Sequence, residues 1–401
     1  MNAIKPPQSR SLLMRRRIAA GAVSVLASAG VAGLTHRAVA RAAGVSLAAT
    51  TYHFEAKSDI LAAASRDLFD GYIADFARLA ERMAERMGQG APSGPRTLDA
   101  LMRRAVLNAL GRDRERSLAW CEILLHGGRD AEAHATLRAW YEALHRVWAD
   151  LARHLRPGAG AAEIRQAVDL VIGLTFLLHP LALPPDQVEA LLAGQEDLAA
   201  CLRRFAPPPA ETQDDSAARA HVVQAAIDIL TEAGAFGITY ASVAKRAGLS
   251  RSAPVHHFPS IDALQAAAQR ALFRRAKTRY RSGLSGVGQD GLGPDELLDL
   301  TTAILFREVL EHPGENLAVY SSWIRAAQSP ETQAVVAAAQ ADLHRAWCRR
   351  LAALPVPADP SAAALRMQAL FIGALLRAIT TGARTETLAQ MRAGFATILR
   401  A

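Results

Sequence analysis

Apolar positions recur at helical spacing in two stretches that can be laid on each other, "RIAAGAVSVLASAGVAGL" from Arg17 and "HVVQAAIDILTEAGAFGI" from His221. A shift of 204 positions, the separation of His53 and His257, sets Ile18 on Val222, Leu26 on Leu230 and Gly30 on Gly234. The second copy has Asp228 and Glu232 where the first has Ser24 and Ser28. Those residues define a polar face opposite Val222, Ala226, Ile229 and Ala233, so both stretches predict amphipathic helices. After each, a threonine (Thr35, Thr239) is placed to cap a short helix that stops at a glycine (Gly44, Gly248). A glycine there can take the left-handed conformation that a tight turn between helices requires. Ser46 and Ser250 follow as caps of a second short helix, which ends at His53-Phe54 and at His257-Phe258. Val39, Ala40, Val243 and Ala244 are spaced for burial, and Phe54 and Phe258 are expected in the same cores. Two short helices joined in this way form a helix-turn-helix.

Similarity continues beyond these openings. "LHRVW" at Leu144 to Trp148 returns as "LHRAW" at Leu343 to Trp347, and Leu118-Ala119 returns as Leu317-Ala318, at a shift of 199. A loop therefore shortened between the matched blocks, near "GQGAPSGPRT" in the first copy and "SGVGQDGLGPDE" in the second. Between the copies lies "FAPPPAETQDDS", a proline-rich, acidic stretch with nothing to bury, read as a linker. The expected organisation is a first unit at 1–206 (head 11–70, helix-turn-helix 34–53, body 71–206). A linker at 207–215 leads to a second unit at 216–401 (head 216–274, helix-turn-helix 238–257, body 275–401).

Composition agrees with an all-α chain. It has 401 residues, 51% hydrophobic and only 5% aromatic, and lacks alternating β-branched runs. The length favours two domains. A formal charge of +8 makes an acidic partner plausible, nucleic acid being the commonest. Arg15 to Arg17 followed by an apolar run imitates a secretory signal, but its copy lies mid-chain, so a cytoplasmic protein is expected. No other run is both apolar and long enough for a membrane span without a charge or proline in it. Cys121, Cys201 and Cys348 are too scattered for a metal set and read as small core residues.

The two phrases "AGVSLAATTYHFEAK" (43–57) and "AGLSRSAPVHHFPSI" (247–261), with the capping threonine before each, resemble the tetracycline-repressor (TetR) family. The resemblance implies a three-helix DNA-binding head, a larger helical body that senses a ligand, and operator binding by two heads. A helix in the major groove reads DNA through short polar side chains near its N-terminal half. The candidate contacts are thus Thr35, Arg37, Ser46, Thr50, Thr51, Tyr52, His53 and Lys57 in the first head. In the second head they are Thr239, Ser250, Arg251, Ser252, His256 and His257. Thr51 stands at the family's usual tyrosine, with Tyr52 beside it. Lys57 matches the family's phosphate-holding lysine, although Ala56 stands where a cap is expected. In the second head Ser260 keeps that cap and Ile261 replaces the lysine. There Val255 takes the tyrosine position, and Pro254 confines the helix start to its own first turn. Arg10, Arg15, Arg16 and Arg17 read equally as backbone contacts or as a solvated charge run.

In the bodies, Trp120, Trp140, Tyr141, Phe176, Tyr320, Trp323 and Phe371 are candidates for an apolar ligand pocket, each also an ordinary core aromatic; Trp148 and Trp347 are the most core-like. "EIRQAVDLVIGLTFLL" and "ALRMQALFIGALLRAI" align at Ile172-Gly173 and Ile372-Gly373 and resemble the family's subunit-pairing helices. In one chain they can pair with each other, which leaves further homodimerisation open. The function expected is a DNA-binding regulator of transcription, a repressor released from a double-stranded operator by a largely apolar effector. The alternative is a ligand-binding or interaction protein of the same fold in which one or both heads no longer bind DNA. No nucleophile and base pair, phosphate loop or metal set points to an enzyme, and no cofactor is expected.

Overall fold

The structure, a computed structural model, describes residues 7–88, 97–156, 158–208, 216–284, 293–355, 359–382 and 386–400. Of the described residues 83% are helical, and no strand occurs among them. Most of the expected linker (209–215) and most of both expected loop sites (89–96 and 285–292) lie outside them.

Helices α1 (Pro7–Gly33), α2 (His36–Ala43) and α3 (Leu47–His53) form a first head. From it α4 (Lys57–Gly88) runs into α5 (Leu98–Leu110), α6 (Arg114–Gly127), α7 (His134–Leu155) and α8 (Ala161–Leu178), followed by short α9 (Pro185–Leu192) and α10 (Leu198–Leu202). A second head follows, of α11 (Ala217–Ala233), α12 (Tyr240–Ala247) and α13 (Ala253–His257). Its body is α14 (Ile261–Leu284), α15 (Pro294–Glu311), α16 (Pro313–Ala326), α17 (Pro330–Ala352), α18 (Pro360–Thr381) and α19 (Glu386–Leu399).

The amphipathic pattern selects the buried faces. Ile18 and Leu26 of α1 and Val222, Ala226 and Ile229 of α11 are buried, as are Val39, Ala40, Phe54, Val243, Ala244 and Phe258. Ala233, expected on the buried face, is exposed at the last residue of α11, beside Gly234, where the chain leaves the helix. One apolar cluster runs through the first head and both bodies, whereas the second head keeps a smaller core of its own with Val222, Val243, Phe258 and Leu272. Cys121 and Cys201 are buried, but Cys348 is only half-buried, with its Sγ 3.5 Å from His344 Nε2.

The tightest crossing joins α8 to α18. A Cβ on Gly173 would sit 1.7 Å from the Ala369 carbonyl oxygen, and one on Gly373 would sit 1.9 Å from that of Asp169. Only glycine permits such backbone approach, and the reciprocal pairing means that the two helices run in opposite directions. Helix α18 is long and apolar enough to cross a membrane by length and composition, yet 78% of that window is buried inside the bundle. It serves here as a core helix.

Candidate DNA-binding heads and the bodies behind them

In the first head, Thr35 accepts from the Ala38 N–H at 3.1 Å and Ser46 from the Ala49 N–H at 3.1 Å, so each oxygen satisfies a donor that its helix start leaves open. Gly44 between them has φ 61°. In the second head Thr239 and Ser242 form a reciprocal capping box and Gly248 has φ 65°. Ser250 does not cap α13: Pro254 delays the helix to Ala253, so Ser252 precedes it without a side-chain cap and Ser250 Oγ meets Ser252 Oγ at 3.1 Å.

Both heads are braced from behind at matched positions. The Arg15 guanidinium lies 4.4 Å from the centre of the Phe54 ring and donates to the His53 carbonyl at 2.7 Å; the Arg219 guanidinium lies 4.6 Å from the Phe258 ring. Arg17 Nε donates to the Ala43 carbonyl at 2.8 Å, and His221 Nε2 meets the Ala247 carbonyl at 2.9 Å. Arg15 and Arg17 are thus occupied in holding the turn. Arg10 and Arg16 are exposed.

Thr35, Arg37, Ser46, Thr51, Tyr52 and Lys57 are exposed, Tyr52 most fully at 85%. Thr50 is not available to a partner: it is completely buried, donating to the Leu47 carbonyl at 2.8 Å and facing His36 Nδ1 at 3.3 Å. Its counterpart Pro254 is buried too, so this position faces the head's interior. In the second head Thr239, Ser250, Arg251, Ser252, Val255 and His256 are exposed. His53 and His257 are half-buried. Arg41 and Lys245, aligned with each other at the end of α2 and α12, are also exposed. Their matched charge was visible in "VARAAG" and "VAKRAG".

Head and body are joined by one matched hydrogen bond in each half. The Val31 N–H donates to Glu122 Oε1 at 3.1 Å, and the Ala235 N–H to Ser321 Oγ at 2.8 Å. Burial raises the Glu122 carboxyl above its usual range, an effect countered by the Val31 N–H, Arg129 and Arg325. Arg129 also caps the second head, donating to the Thr231 carbonyl at 2.8 Å and the Leu230 carbonyl at 3.1 Å in the last turn of α11. Burial pulls its guanidinium down to about 10.

The candidate aromatics form a row rather than two pockets. Trp140 meets Trp120 at 5.4 Å between ring centres, Trp120 meets Phe176 at 6.2 Å, Phe176 meets Tyr320 at 6.0 Å, and Tyr320 meets Trp323 at 5.3 Å. The row therefore crosses from one body into the other. A crevice of about 80 Å³ opens beside it in the first body, and of the seven candidates only Trp120 and Trp140 line it. Tyr141 and Phe176 are buried in the core, Tyr320 and Trp323 close the far end of the row, and half-buried Phe371 packs 6.5 Å from Tyr280. Tyr72, Phe76 and Trp148 complete the aromatic lining. Trp148 was read as one of the two most core-like aromatics, and Tyr72 and Phe76 lie on α4, which gave no pocket signal.

Residues 292–401 match the family profile described as "Tetracyclin repressor-like, C-terminal domain". That segment, in the second body, thus carries a tetracycline-repressor-like C-terminal domain. Half of the chain (50%) is similar, at 26% identity and a TM-score of 0.30, to 98% of the multidrug binding protein EbrR, whose crystal structure is of a complex with imidazole. No curated protein sequence matches the chain. Tetracycline-repressor-family proteins are in general ligand-responsive regulators of transcription. The departures from the family pattern now have places: Tyr52 projects outward beside Thr51, whereas Ile261 is half-buried against the second head's core.

Proposed function

We propose that the chain is a ligand-responsive repressor in which two fused units act as an intramolecular pseudo-dimer and present two heads to one two-part DNA operator. The observation that carries this reading is the reciprocal contact of α8 and α18, Gly173 on Ala369 and Gly373 on Asp169. Matched residues meeting matched residues is what a two-fold axis produces when two copies of one unit pair. Here the copies sit on one chain, so pairing is intramolecular and independent of protein concentration. The exposed polar ends of α3 and α13 are the proposed base-reading elements, with Arg37, Lys57 and the aligned Arg41 and Lys245 as phosphate contacts. Tyr72 and Phe76, which line the crevice, are on the same helix as Lys57 at the base of the first head. An effector wedged against α4 would thus change where that head sits relative to grooves spaced about 34 Å apart.

A second reading has the second head bound weakly or not at all. It is favoured by the five-residue α13 and by Ile261 at the lysine position. Binding to genomic fragments, titrated with salt, separates the two. Two engaged heads give a steep salt dependence and a site with two parts about one turn apart; one head gives a shallower slope and a single part. A chain that binds no fragment would remove both readings.

A further inference from the structure

We infer that effector sensing is confined to the first body, which takes one uncharged, flat aromatic molecule bearing an acceptor oxygen, while the matching site in the second body is stitched shut. This deepens the reading above and rests on it, since it compares positions matched by the duplication.

The crevice in the first body has no charged side chain in its lining. Trp120, Trp140 and Trp148 line it, each at least nine-tenths buried, and none of their indole N–H groups has a hydrogen-bond partner. Leaving such donors buried and unpaired is destabilising, so a carbonyl or ether oxygen brought among them recovers stability that a hydrocarbon cannot. A cation is disfavoured: no lining carboxylate would neutralise it, and the Arg116 guanidinium already lies 4.7 Å from the centre of the Tyr72 ring. The crevice is smaller than a two-ring molecule, so binding must spread its walls, α4 among them.

The shift of 199 that matches the bodies sets Ala109 on Glu308 and Ser117 on Asn316. Small lining residues of the first crevice are thereby replaced by a buried carboxylate and an amide. Asn316 Nδ2 donates to Glu308 Oε2 at 3.0 Å, and Arg279 donates to both Glu308 oxygens, at 3.0 and 2.9 Å. Val319 and Ala339 stand at the positions of Trp120 and Trp140, so two of the three indoles are missing as well, and only Trp347, matching Trp148, remains. An ion pair with its hydrogen bonds satisfied cannot be displaced by an uncharged ligand without leaving a buried charge unpaired.

The test uses three probes of nearly equal size on the full chain: coumarin, naphthalene and N-methylquinolinium. Calorimetry and tryptophan quenching should show coumarin binding at one molecule per chain, at least tenfold more tightly than either of the others. Trp140→Phe, which removes only an N–H and part of a ring, should weaken coumarin several-fold, and Trp323→Phe in the second body should leave it unchanged. Two molecules per chain, a preference for the cation, or no coumarin binding would overturn the inference. Circular dichroism guards the comparison, and a second variant, Trp120→Phe, replaces Trp140→Phe if that one fails to fold. DNA binding is measured separately: coumarin at one per chain with no DNA binding would sink the repressor reading and leave the single site standing. DNA binding with two coumarins would do the reverse.

Discussion

Arg377 donates from Nε and Nη2 to the two carboxylate oxygens of Asp169, both at 2.8 Å, where α18 crosses α8. Both side chains are at least nine-tenths buried, so neither charge can return to water while the helices stay packed. The pair sits off the two-fold relation of the neighbouring glycines, as Gly173 and Gly373 match while Asp169 matches Ala369.

Breaking that pair should be costly in a specific way. Arg377→Met strands a buried carboxylate and is expected to lower unfolding free energy by about 3–5 kcal/mol. Asp169→Leu with Arg377→Met removes both charges and should recover most of the loss. Urea denaturation of the single and double variants checks this, and equal losses in both would contradict it.

The glycine crossing has its own signature. Gly173→Ala drives a methyl into the Ala369 carbonyl and must separate α8 from α18, at an expected cost of at least about 2 kcal/mol. Gly160→Ala, where an added Cβ meets nothing within 4 Å, is the matched control and should change stability by less than about 0.5 kcal/mol. Thermal unfolding followed by circular dichroism reports both.

Two residues of the first head, two positions apart on α3, should part company. Tyr52→Ala removes an 85% exposed ring and is expected to leave stability within about 0.5 kcal/mol while weakening DNA binding. Thr50→Val removes a buried hydroxyl that serves the Leu47 carbonyl and faces His36, and should cost about 1 kcal/mol of stability. Fluorescence anisotropy on DNA and urea melts of the two variants should give opposite rankings.

Much of this head was legible in the sequence, since Thr35, Gly44 and Ser46 act through their own backbone neighbours, which lie a few residues away. Thr50 was misread because spacing alone gives two exposed faces to a seven-residue helix. Its alignment with Pro254, a residue with no hydrogen-bonding side chain, carried the hint that it points inward. The bracing by Arg15 and Arg219 was hidden, because a cation stacked on an aromatic ring 39 residues away leaves no periodic trace. In the bodies, aromatic content located the row but not the crevice, which depends on small residues such as Ala109 and Ser117.

Acid should loosen the first body. His179 is fully buried with Nε2 at 2.9 Å from Ser117 Oγ, and burial pushes its imidazole down to about 3. Its folded value lies below the ordinary 6.5, so the stability it contributes is complete above pH 6.5 and is lost as pH falls toward 3. At 1.36 kcal/mol per unit the full loss is on the order of 5 kcal/mol. His179→Gln should flatten the stability profile across that window, as read by denaturant melts at stepped pH; an unchanged slope would contradict the assignment.

The most direct measurement is the mass and footprint of the purified chain on a fragment that it selects from its own genome. One chain per fragment, protecting two consecutive major grooves on one face, is the result expected of two heads on one polypeptide. Two chains on that same span, one protected groove, or no protection at all would contradict it.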